Sequence, residues 1–260
     1  MAVDGKTSRG ARRPDGSRVH LLGVVDHVDG VLLDQVEVDA KSNETTAFQP
    51  LLQDLELVGV TVTFDAMHSV RANLDWLVSV KGGHYLAVIK ANQPSLLARL
   101  KALPWADVPA QHADTTHDHG HGRDETRTLK AVTVTEQAGG LDFAHARQAV
   151  RITRWRQVKG RPASRETVYA VTDLDARAGP HVLNQLARQH WSIENRQHYV
   201  RDVSQAEDAC TTRTGRTPTN LATIRSTIIN SLRRNGYQHI PEGRRDHTSP
   251  AAALALHGLT

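Results

Sequence analysis

The sequence predicts a mixed α/β protein in which a sheet carries helices on its faces. Three observations predict this fold class. From residue 1 to 103, strand-like and helix-like periodicities follow the order β-β-β-α-β-α-β-α. From 104 to 178, short alternating segments such as 128–135 and 167–172 lie between polar loops, which indicates a β-rich insertion. From 179 to 260, two helical patterns and a polar tail complete the core, so we predict three parts with these bounds.

The first part opens with three predicted antiparallel strands. Residues 1–4 form a short strand, and residues 19–26 and 31–38 form a hairpin around Asp29-Gly30, a dipeptide typical of a tight turn. A helix over 41–57 follows. The expected cap of that helix is Ser42 or Asn43, and its expected inner residues are Phe48, Leu51, Leu52 and Leu55.

A second alternation of strands and helices completes the first part. Residues 58–64 are apolar and mostly β-branched, as expected of a strand covered on both faces, and the run ends at Asp65. A helix over 69–80, a strand over 85–90 and a short helix opened by Pro94 follow.

The last part begins with a long predicted helix after Gly179-Pro180. At about 100° per residue, an apolar stripe faces the core, and a second row beside it carries Glu194 at the margin of the buried face. A helix of this kind can offer an acidic ligand to a neighbouring sheet. A second helix is predicted around 221–232. The apolar stripe is Val182, Leu186, Ile193 and Val200, and the second row is Leu183, His190, Glu194 and Arg201.

Composition indicates a soluble globular protein of 260 residues. The hydrophobic fraction is 39% and the charged fraction 23%, and no apolar run approaches the roughly 18 residues that a membrane span needs. The first residues lack the apolar segment of a signal peptide, and the lone Cys210 cannot form an internal disulfide, so we expect a cytosolic location. The net charge of +4 permits nucleic-acid binding without requiring it.

Three carboxylates are candidate ligands of divalent metal ions: Asp4, Asp65 and Glu194. A ribonuclease-H-like sheet needs its first acid on the first central strand, its second at the end of the fourth strand and its third on a late helix. This chain supplies that order. Two Mg²⁺ or Mn²⁺ ions bound by such oxygens can clamp the entering and leaving oxygens of a phosphoryl transfer. The competing interpretation of Glu194 is a solvated side chain paired with Arg188 or Arg201.

Other polar clusters receive a simpler interpretation. The remaining acids of the hairpin and of the segment after the long helix are expected to be solvated loop residues or caps. A histidine-rich loop lacks both cysteine and a recognised zinc spacing, so we expect adventitious or no metal binding there. The acids are Asp26, Asp29, Asp34, Asp202, Glu207 and Asp208, and the histidines are His112, His117, His119 and His121.

Residues 147–165 carry seven basic residues and no acidic one, with Trp155 between Arg154 and Arg156. Such a run is either a solvated face or a groove that follows a phosphate backbone, with an aromatic side chain available for stacking. Both interpretations stay open on sequence alone.

Several blocks in a fixed order carry a resemblance to a known family. From the first residues to about Leu232, they resemble the blocks of bacterial insertion-sequence DDE transposases of the ISAs subgroup. The blocks are VDGKTSRG at 3–10, FDAMH at 64–68, KANQP at 90–94, HGRDETR at 121–127, HWSIEN at 190–195, DV at 202–203, ED at 207–208 and RTGRTP at 213–218.

The resemblance implies a ribonuclease-H-like core interrupted by a β-rich insertion, and cut-and-paste transposition of double-stranded DNA in the bacterial cytoplasm, at the nucleoid. It implies two Mg²⁺ or Mn²⁺ ions and a homodimer in the synaptic complex. By matching position, the catalytic acids and metal ligands fall on Asp4, Asp65 and Glu194. The expected DNA contacts are Lys90, Asn92, Arg123, Arg127 and Arg201, with Arg154, Trp155 and Arg156 from the basic run.

Three features depart from the family pattern. The wider group often has a basic residue seven positions after its glutamate, and here Arg201 holds that place, where lysine is more usual. Its tyrosine and arginine before the glutamate are replaced by Ala187 and His190. Relatives also carry a helical region ahead of the first block, so we expect this chain to be N-terminally truncated. An inactive DNA-binding remnant is therefore the alternative, and a host nuclease that cleaves without joining is a third possibility.

Overall fold

The computed structural model describes residues 1–39, 43–120, 122–134 and 140–259. The chain forms two compact units, one built from residues 1–55 with 189–260 and the other from 56–188. The predicted mixed α/β fold class is confirmed, and the predicted three-part division stays a prediction. Within the described ranges, no helix combines the length and the apolar character needed to cross a membrane. The alternative cap Ser42 and the loop residue His121 lie outside those ranges.

The first unit contains the three predicted antiparallel strands, in the order β3-β2-β1. The first strand is longer than the predicted residues 1–4, because its pairing with β2 continues as far as Arg12 opposite Arg18. Its polar residues Lys6 and Ser8 are buried. The buried positions of this strand are therefore not all apolar, and hydrophobic alternation does not predict its full length. The strands are β1 (Ala2–Arg12), β2 (Arg18–Val25) and β3 (Leu32–Glu37).

The turn between β2 and β3 uses side-chain and backbone features together. The Asp26 carboxylate accepts hydrogen bonds from the backbone N–H groups of Val28 at 2.8 Å and Asp29 at 2.9 Å. Gly30 follows with φ of +67°, in the left-handed region that favours glycine. Asp26 is therefore a turn-capping residue, as the simpler interpretation of the hairpin acids predicted.

Gly30→Ala is expected to destabilise the protein by about 1 kcal/mol or more. A methyl group at this position would strain the backbone and would lie 2.2 Å from Cδ of Arg196, whose guanidinium donates to the Val28 carbonyl at 2.7 Å. Urea unfolding measures the change. Gly236→Ala is the matched control, because φ is +86° there and no described heavy atom lies within 4 Å of the added methyl. Equal losses from the two substitutions would show that the Arg196 contact contributes nothing.

Four α-helices lie in the described part of the first unit. Asn43 caps the first of them by accepting from the N–H of Thr45 at 3.1 Å, and the predicted inner residues except Leu55 are buried. This helix ends before the predicted residue 57, shortly after Pro50, which removes one intrahelical hydrogen bond. The predicted polar tail contains two short helices. The helices are α1 (Glu44–Leu52), α5 (Thr217–Arg234), α6 (Ile240–Asp246) and α7 (Pro250–Leu256), with α2 to α4 in the other unit.

The second unit is a six-stranded mixed sheet in the order β4-β5-β9-β8-β7-β6. Strands β4 and β5 pair in parallel, and the other neighbouring pairs are antiparallel. The predicted β-rich segment supplies β6 to β9, and these strands extend the same sheet because β9 pairs with β5. The strands are β4 (Thr61–Phe64), β5 (His84–Ile89), β6 (Ala113–Gly120), β7 (Arg123–Thr133), β8 (Gln148–Val158) and β9 (Ser164–Thr172).

Three helices belong to the second unit. The first matches the predicted residues 69–80 within two residues at either end, the second begins at the predicted Pro94, and the third is shorter than the predicted long helix. The last of them packs on the apolar cluster of β5 and β7 to β9 through Leu183 and Leu186. The helices are α2 (Arg71–Ser79), α3 (Pro94–Ala102) and α4 (Pro180–Gln189).

The predicted long helix does not continue with one periodicity. Helix α4 ends at Gln189, and two π-helical turns, Glu194–His198 and Val200–Ser204, follow; we call them together the π segment. Hydrogen bonds from i to i+5 change the number of residues per turn, so positions 100° apart no longer share a face. The predicted stripe is therefore wrong as a single stripe, and Val182 is 43% exposed while Leu183 is fully buried.

Candidate active site

The candidate site lies in the first unit, where β1 faces the π segment. Because side chains alternate along a strand, Asp4, Lys6 and Ser8 share one face of β1, and each is about 7 Å from the next. Each meets a different residue of the later segment. Asp4 lies beside His198, Lys6 donates to both carboxylate oxygens of Asp202 at 2.6 and 2.7 Å, and Ser8 donates to Glu207 at 2.8 Å.

Asp4, Glu194 and His198 form a cluster of three possible metal ligands. One ligand atom from each residue lies within 4.8 Å of the other two. Nδ1 of His198 is 3.1 Å from Oε2 of Glu194 and 3.6 Å from Oδ2 of Asp4. The imidazole side chain is 7% exposed, whereas the side chains of Asp4 and Glu194 are 34% and 51% exposed. The two acids are thus accessible from solvent above a buried histidine.

Local charges favour the ionised form of Glu194. The hydrogen bond with His198 lowers the pKa of Glu194 below its usual value; burial opposes that shift, and the charges of His198 and Lys6 add to it. Glu194 is therefore a carboxylate at neutral pH, which is the protonation state that a metal ligand requires.

The residues of this cluster fit a divalent cation. Two carboxylates supply hard oxygen donors, and an imidazole nitrogen suits Mn²⁺ and later transition metals better than Mg²⁺. Asp4 and Glu194 would hold the ion through oxygen. The ammonium group of the neighbouring Lys6 is paired with Asp202, so it does not form an ion pair with Asp4 or Glu194 in place of the cation.

Beyond the cluster, a buried ion pair joins Arg201 of the π segment to Glu207, whose carboxylate also accepts from Ser8 of β1. Nε and Nη2 of Arg201 donate to the two carboxylate oxygens of Glu207 at 2.7 Å each, and both side chains are almost fully buried. The interpretation of Glu207 as a solvated loop residue or cap is therefore wrong, and Asp202 is likewise held by Lys6. Arg201, expected at a DNA phosphate, has its guanidinium directed at Glu207.

Asp65 belongs to the second unit, at the end of β4. Its carboxylate accepts from the N–H of Met67 at 2.7 Å and caps the short 3₁₀ turn over residues 66–68. The side chain is half-buried. Lys90 is exposed after β5, and exposed Asn92 donates to the carbonyl of Ala66 at 2.7 Å. The turn after Asp65 and the segment after β5 are therefore joined by a side-chain hydrogen bond.

The expected DNA-binding residues of β7 and β8 divide between two faces of the sheet. Arg154 and Arg156 alternate with Trp155, so the tryptophan lies on the opposite face and is 40% exposed. Arg154 is paired with Glu166, and Nη2 of Arg156 lies 3.1 Å from Glu125. Trp155 and the two flanking arginines therefore cannot all line the same side of the sheet, and their contacts with DNA stay a prediction. Of the two other expected contacts, Arg123 is exposed, and burial lowers the pKa of Arg127, which is largely buried.

Two residues of the cluster region were not predicted from the sequence. His198 stands four positions after Glu194, a spacing that puts two side chains close together on a helical surface. Lys6 stands two positions after Asp4, a spacing that puts them on one face of a strand. Both spacings were signals in the sequence, although neither says which partner the side chain meets.

Comparison with known proteins gives one family. The sequence model described as "Transposase DDE domain" matches residues 1–231. YncI of Escherichia coli O157:H7, named as a candidate transposase, is 29% identical over 90% of this chain and 61% of its own length. YbfL and the H repeat-associated YhhI, both of Escherichia coli K12, are 28% and 27% identical over 89% of this chain. The chain spans 61 to 63% of the length of these relatives.

Solved structures give no comparable information. DesVI of Streptomyces venezuelae has a TM-score of 0.24 with 10% identity, over 53% of each chain. The sugar N-methyltransferase KedS8 from Streptoalloteichus has a TM-score of 0.22 with 14% identity, over 52% of this chain and 50% of its own. Scores of this size carry no fold assignment.

Proposed function

The chain belongs to the family of transposases with a DDE domain, and on that premise we propose that it catalyses metal-dependent cleavage and strand transfer of insertion-sequence DNA. The observation that carries the proposal is the cluster of Asp4, Glu194 and His198, with ligand atoms within 4.8 Å of one another. Two acids that stand 190 positions apart in sequence come together in the fold. Both occupy positions to which the resemblance assigns catalytic acids, and this supports the proposal.

The third acid is assigned by sequence position to Asp65, which ends β4. We propose a ribonuclease-H-like arrangement for the core, and two Mg²⁺ or Mn²⁺ ions as cofactors, because the family as a whole uses divalent metal ions. Double-stranded DNA is the proposed substrate, and a homodimer is the proposed state in the synaptic complex. The bacterial nucleoid is the corresponding location.

The residues of the site have separate tasks in this proposal. Asp4 and Glu194 would hold one of the two cations, which together would activate the attacking oxygen and stabilise the departing one. Without a cation, Nδ1 of His198 lies within hydrogen-bond distance of the Glu194 carboxylate, at 3.1 Å. The Lys6–Asp202 pair fixes β1 against the π segment, so that Asp4 keeps its position relative to Glu194.

Plasmid nicking and strand joining test the proposal. Purified protein is incubated with supercoiled plasmid and an oligonucleotide bearing a free 3′ hydroxyl, with Mg²⁺ or Mn²⁺. We expect metal-dependent nicking and covalent joining of the oligonucleotide. Nicking without joining would support a nuclease, and DNA binding with neither reaction would support a non-catalytic DNA-binding protein and overturn the proposal.

Trp155→Ala is expected to weaken DNA binding roughly 5- to 150-fold, which corresponds to about 1 to 3 kcal/mol for one base stacked on an aromatic ring. The Trp155 side chain is 40% exposed, and its cross-strand neighbours are Arg165 of β9 and Thr126 of β7. Fluorescence anisotropy with a labelled single-stranded and duplex DNA measures the change. Trp155→Phe keeps an aromatic surface and should retain most of the affinity. Equal loss in both variants, or no loss in either, would contradict stacking.

A further inference from the structure

We propose that His198 is a direct nitrogen ligand of the cation held by Asp4 and Glu194, and that it biases this site towards Mn²⁺ over Mg²⁺. The inference rests on the proposed function for the presence of a cation, and it adds a ligand that the three family acids do not include. The geometry, the burial and the donor chemistry of the imidazole carry it.

The distances around Nδ1 match those between neighbouring ligands of one ion. Metal bonds of about 2.0 to 2.2 Å in octahedral geometry leave adjacent ligand atoms about 3 Å apart. Nδ1 of His198 lies 3.1 Å from the nearest oxygen of Glu194 and 3.6 Å from that of Asp4. Small rotations of two partly exposed carboxylates would bring all three atoms onto one cation, because neither acid is locked by burial.

Burial makes the imidazole a fixed donor. Its side chain is 7% exposed and belongs to the π-helical turn Glu194–His198, from which it contacts Asp4 of β1. A ligand that is held in one orientation before the metal arrives loses little conformational entropy on binding, whereas a solvated histidine would lose more. π-helical turns are uncommon and are frequently found at functional sites.

The mixed donor set has a consequence for metal choice. Mg²⁺ prefers oxygen ligands and keeps its waters, so an imidazole in its coordination sphere is unfavourable. Mn²⁺ also prefers oxygen ligands, but as a transition-metal ion it binds an imidazole nitrogen more strongly than Mg²⁺ does. The structure thus assigns His198 a role in selecting the ion, whereas a residue that only oriented Glu194 would not discriminate between the two metals.

Spin-echo spectroscopy of bound Mn²⁺ tests the proposal directly in the unmodified protein. With Mn²⁺ alone as the probe, we expect a modulation from a directly coordinated ¹⁴N nucleus. His198→Gln should abolish this modulation, lower Mn²⁺ affinity about tenfold or more, and leave Mg²⁺ affinity, measured by competition, nearly unchanged. Circular dichroism confirms that each variant is folded before its metal affinity is compared.

His20→Gln is the matched control. His20 forms a histidine–carboxylate pair with Glu44 at 2.6 Å in the same unit, outside the Asp4 cluster. This variant should keep both the nitrogen signal and the Mn²⁺ affinity of the unmodified protein. Loss of the signal in His20→Gln, or its persistence in His198→Gln, would overturn the assignment.

The outcomes separate this inference from the proposed function. Mn²⁺ that binds without a nitrogen signal, and that is released by Asp4→Asn, would leave the carboxylate site intact and exclude His198 as a ligand. Failure of the unmodified protein to bind either Mn²⁺ or Mg²⁺ would overturn both. An equal fall in Mn²⁺ and Mg²⁺ affinity in His198→Gln would show that the imidazole only positions Glu194.

Discussion

Glu194→Gln is expected to reduce DNA nicking and joining roughly a thousandfold or more, because Glu194 is a proposed metal-binding carboxylate. Glutamine keeps the size of the side chain but removes the charge that holds the cation, and a loss of about 4 kcal/mol of transition-state stabilisation corresponds to that factor. Glutamine keeps an oxygen that can accept from the buried His198, and Glu194 itself is 51% exposed, so the unfolding temperature should change little. Initial rates of plasmid nicking measure the effect.

Asp4→Asn should produce a loss of the same size, and the double variant should be no worse than either single variant. Two ligands of one ion act as a unit, so their effects on the rate are not additive. Asp34→Asn is the control, since this exposed acid of β3 accepts from the N–H of Gln35 and lies outside the Asp4 cluster. Full activity in Glu194→Gln, or a loss in Asp34→Asn as large as that in Asp4→Asn, would remove the basis for the site.

Glu207→Ala is expected to destabilise the protein by about 3 to 5 kcal/mol, the usual result of breaking a buried ion pair by removing one partner. The side chains of Glu207 and Arg201 are 1% and 3% exposed, and Arg225 lies 3.8 Å from the same carboxylate. Removal of the acid leaves two guanidinium groups close together, one of them fully buried, with no compensating charge. Urea unfolding measures the loss.

Arg9→Ala is the control for this pair. Arg9 forms a solvent-exposed ion pair with the neighbouring Asp208 at 3.6 Å. An exposed pair contributes about 1 kcal/mol or less, so this variant should unfold almost as the unmodified protein does. A loss below about 1 kcal/mol in Glu207→Ala would contradict the prediction that the buried pair stabilises the fold.

Acid offers an independent check on the same pair. Burial alone would raise the pKa of Glu207, but the hydrogen bond and charge of Arg201, the Ser8 hydroxyl and the charge of Lys6 together lower it below its usual 4.5. A lowered pKa in the folded state means that the stabilisation is complete above about pH 4.5 and is lost as the pH falls through the folded-state value. The unmodified protein should therefore lose more stability between neutral and acidic pH than Glu207→Gln.

Much of the fold and part of the site could be predicted from sequence, because they depend on local patterns. The hairpin around Gly30 follows from turn chemistry, and the order of Asp4 and Glu194 follows from the family blocks. The period of two along β8 also separates Trp155 from the flanking arginines, although the basic run was interpreted as one surface. An explicit assignment of strand faces would have given the correct division.

The rest depends on contacts that local patterns do not encode. The change to π-helical turns after His190 shifts the phase of the helix, and no residue type in the segment announces it. Buried polar residues such as Lys6 and Arg201 look like solvated ones until their partners are known. Their pairing joins positions that are far apart in the chain, so only the tertiary structure identifies it.

The alternating contacts along β1 also constrain how this sequence can drift over generations. Lys6 and Asp202 are 196 positions apart in the sequence. A change in the charge of either residue would nevertheless leave the other without its ion-pair partner. Homologues that differ at this pair must therefore have changed both residues nearly together, or must have passed through a less stable intermediate sequence. Lineages that have lost transposition but still fold should keep this pair long after the exposed acids have been replaced.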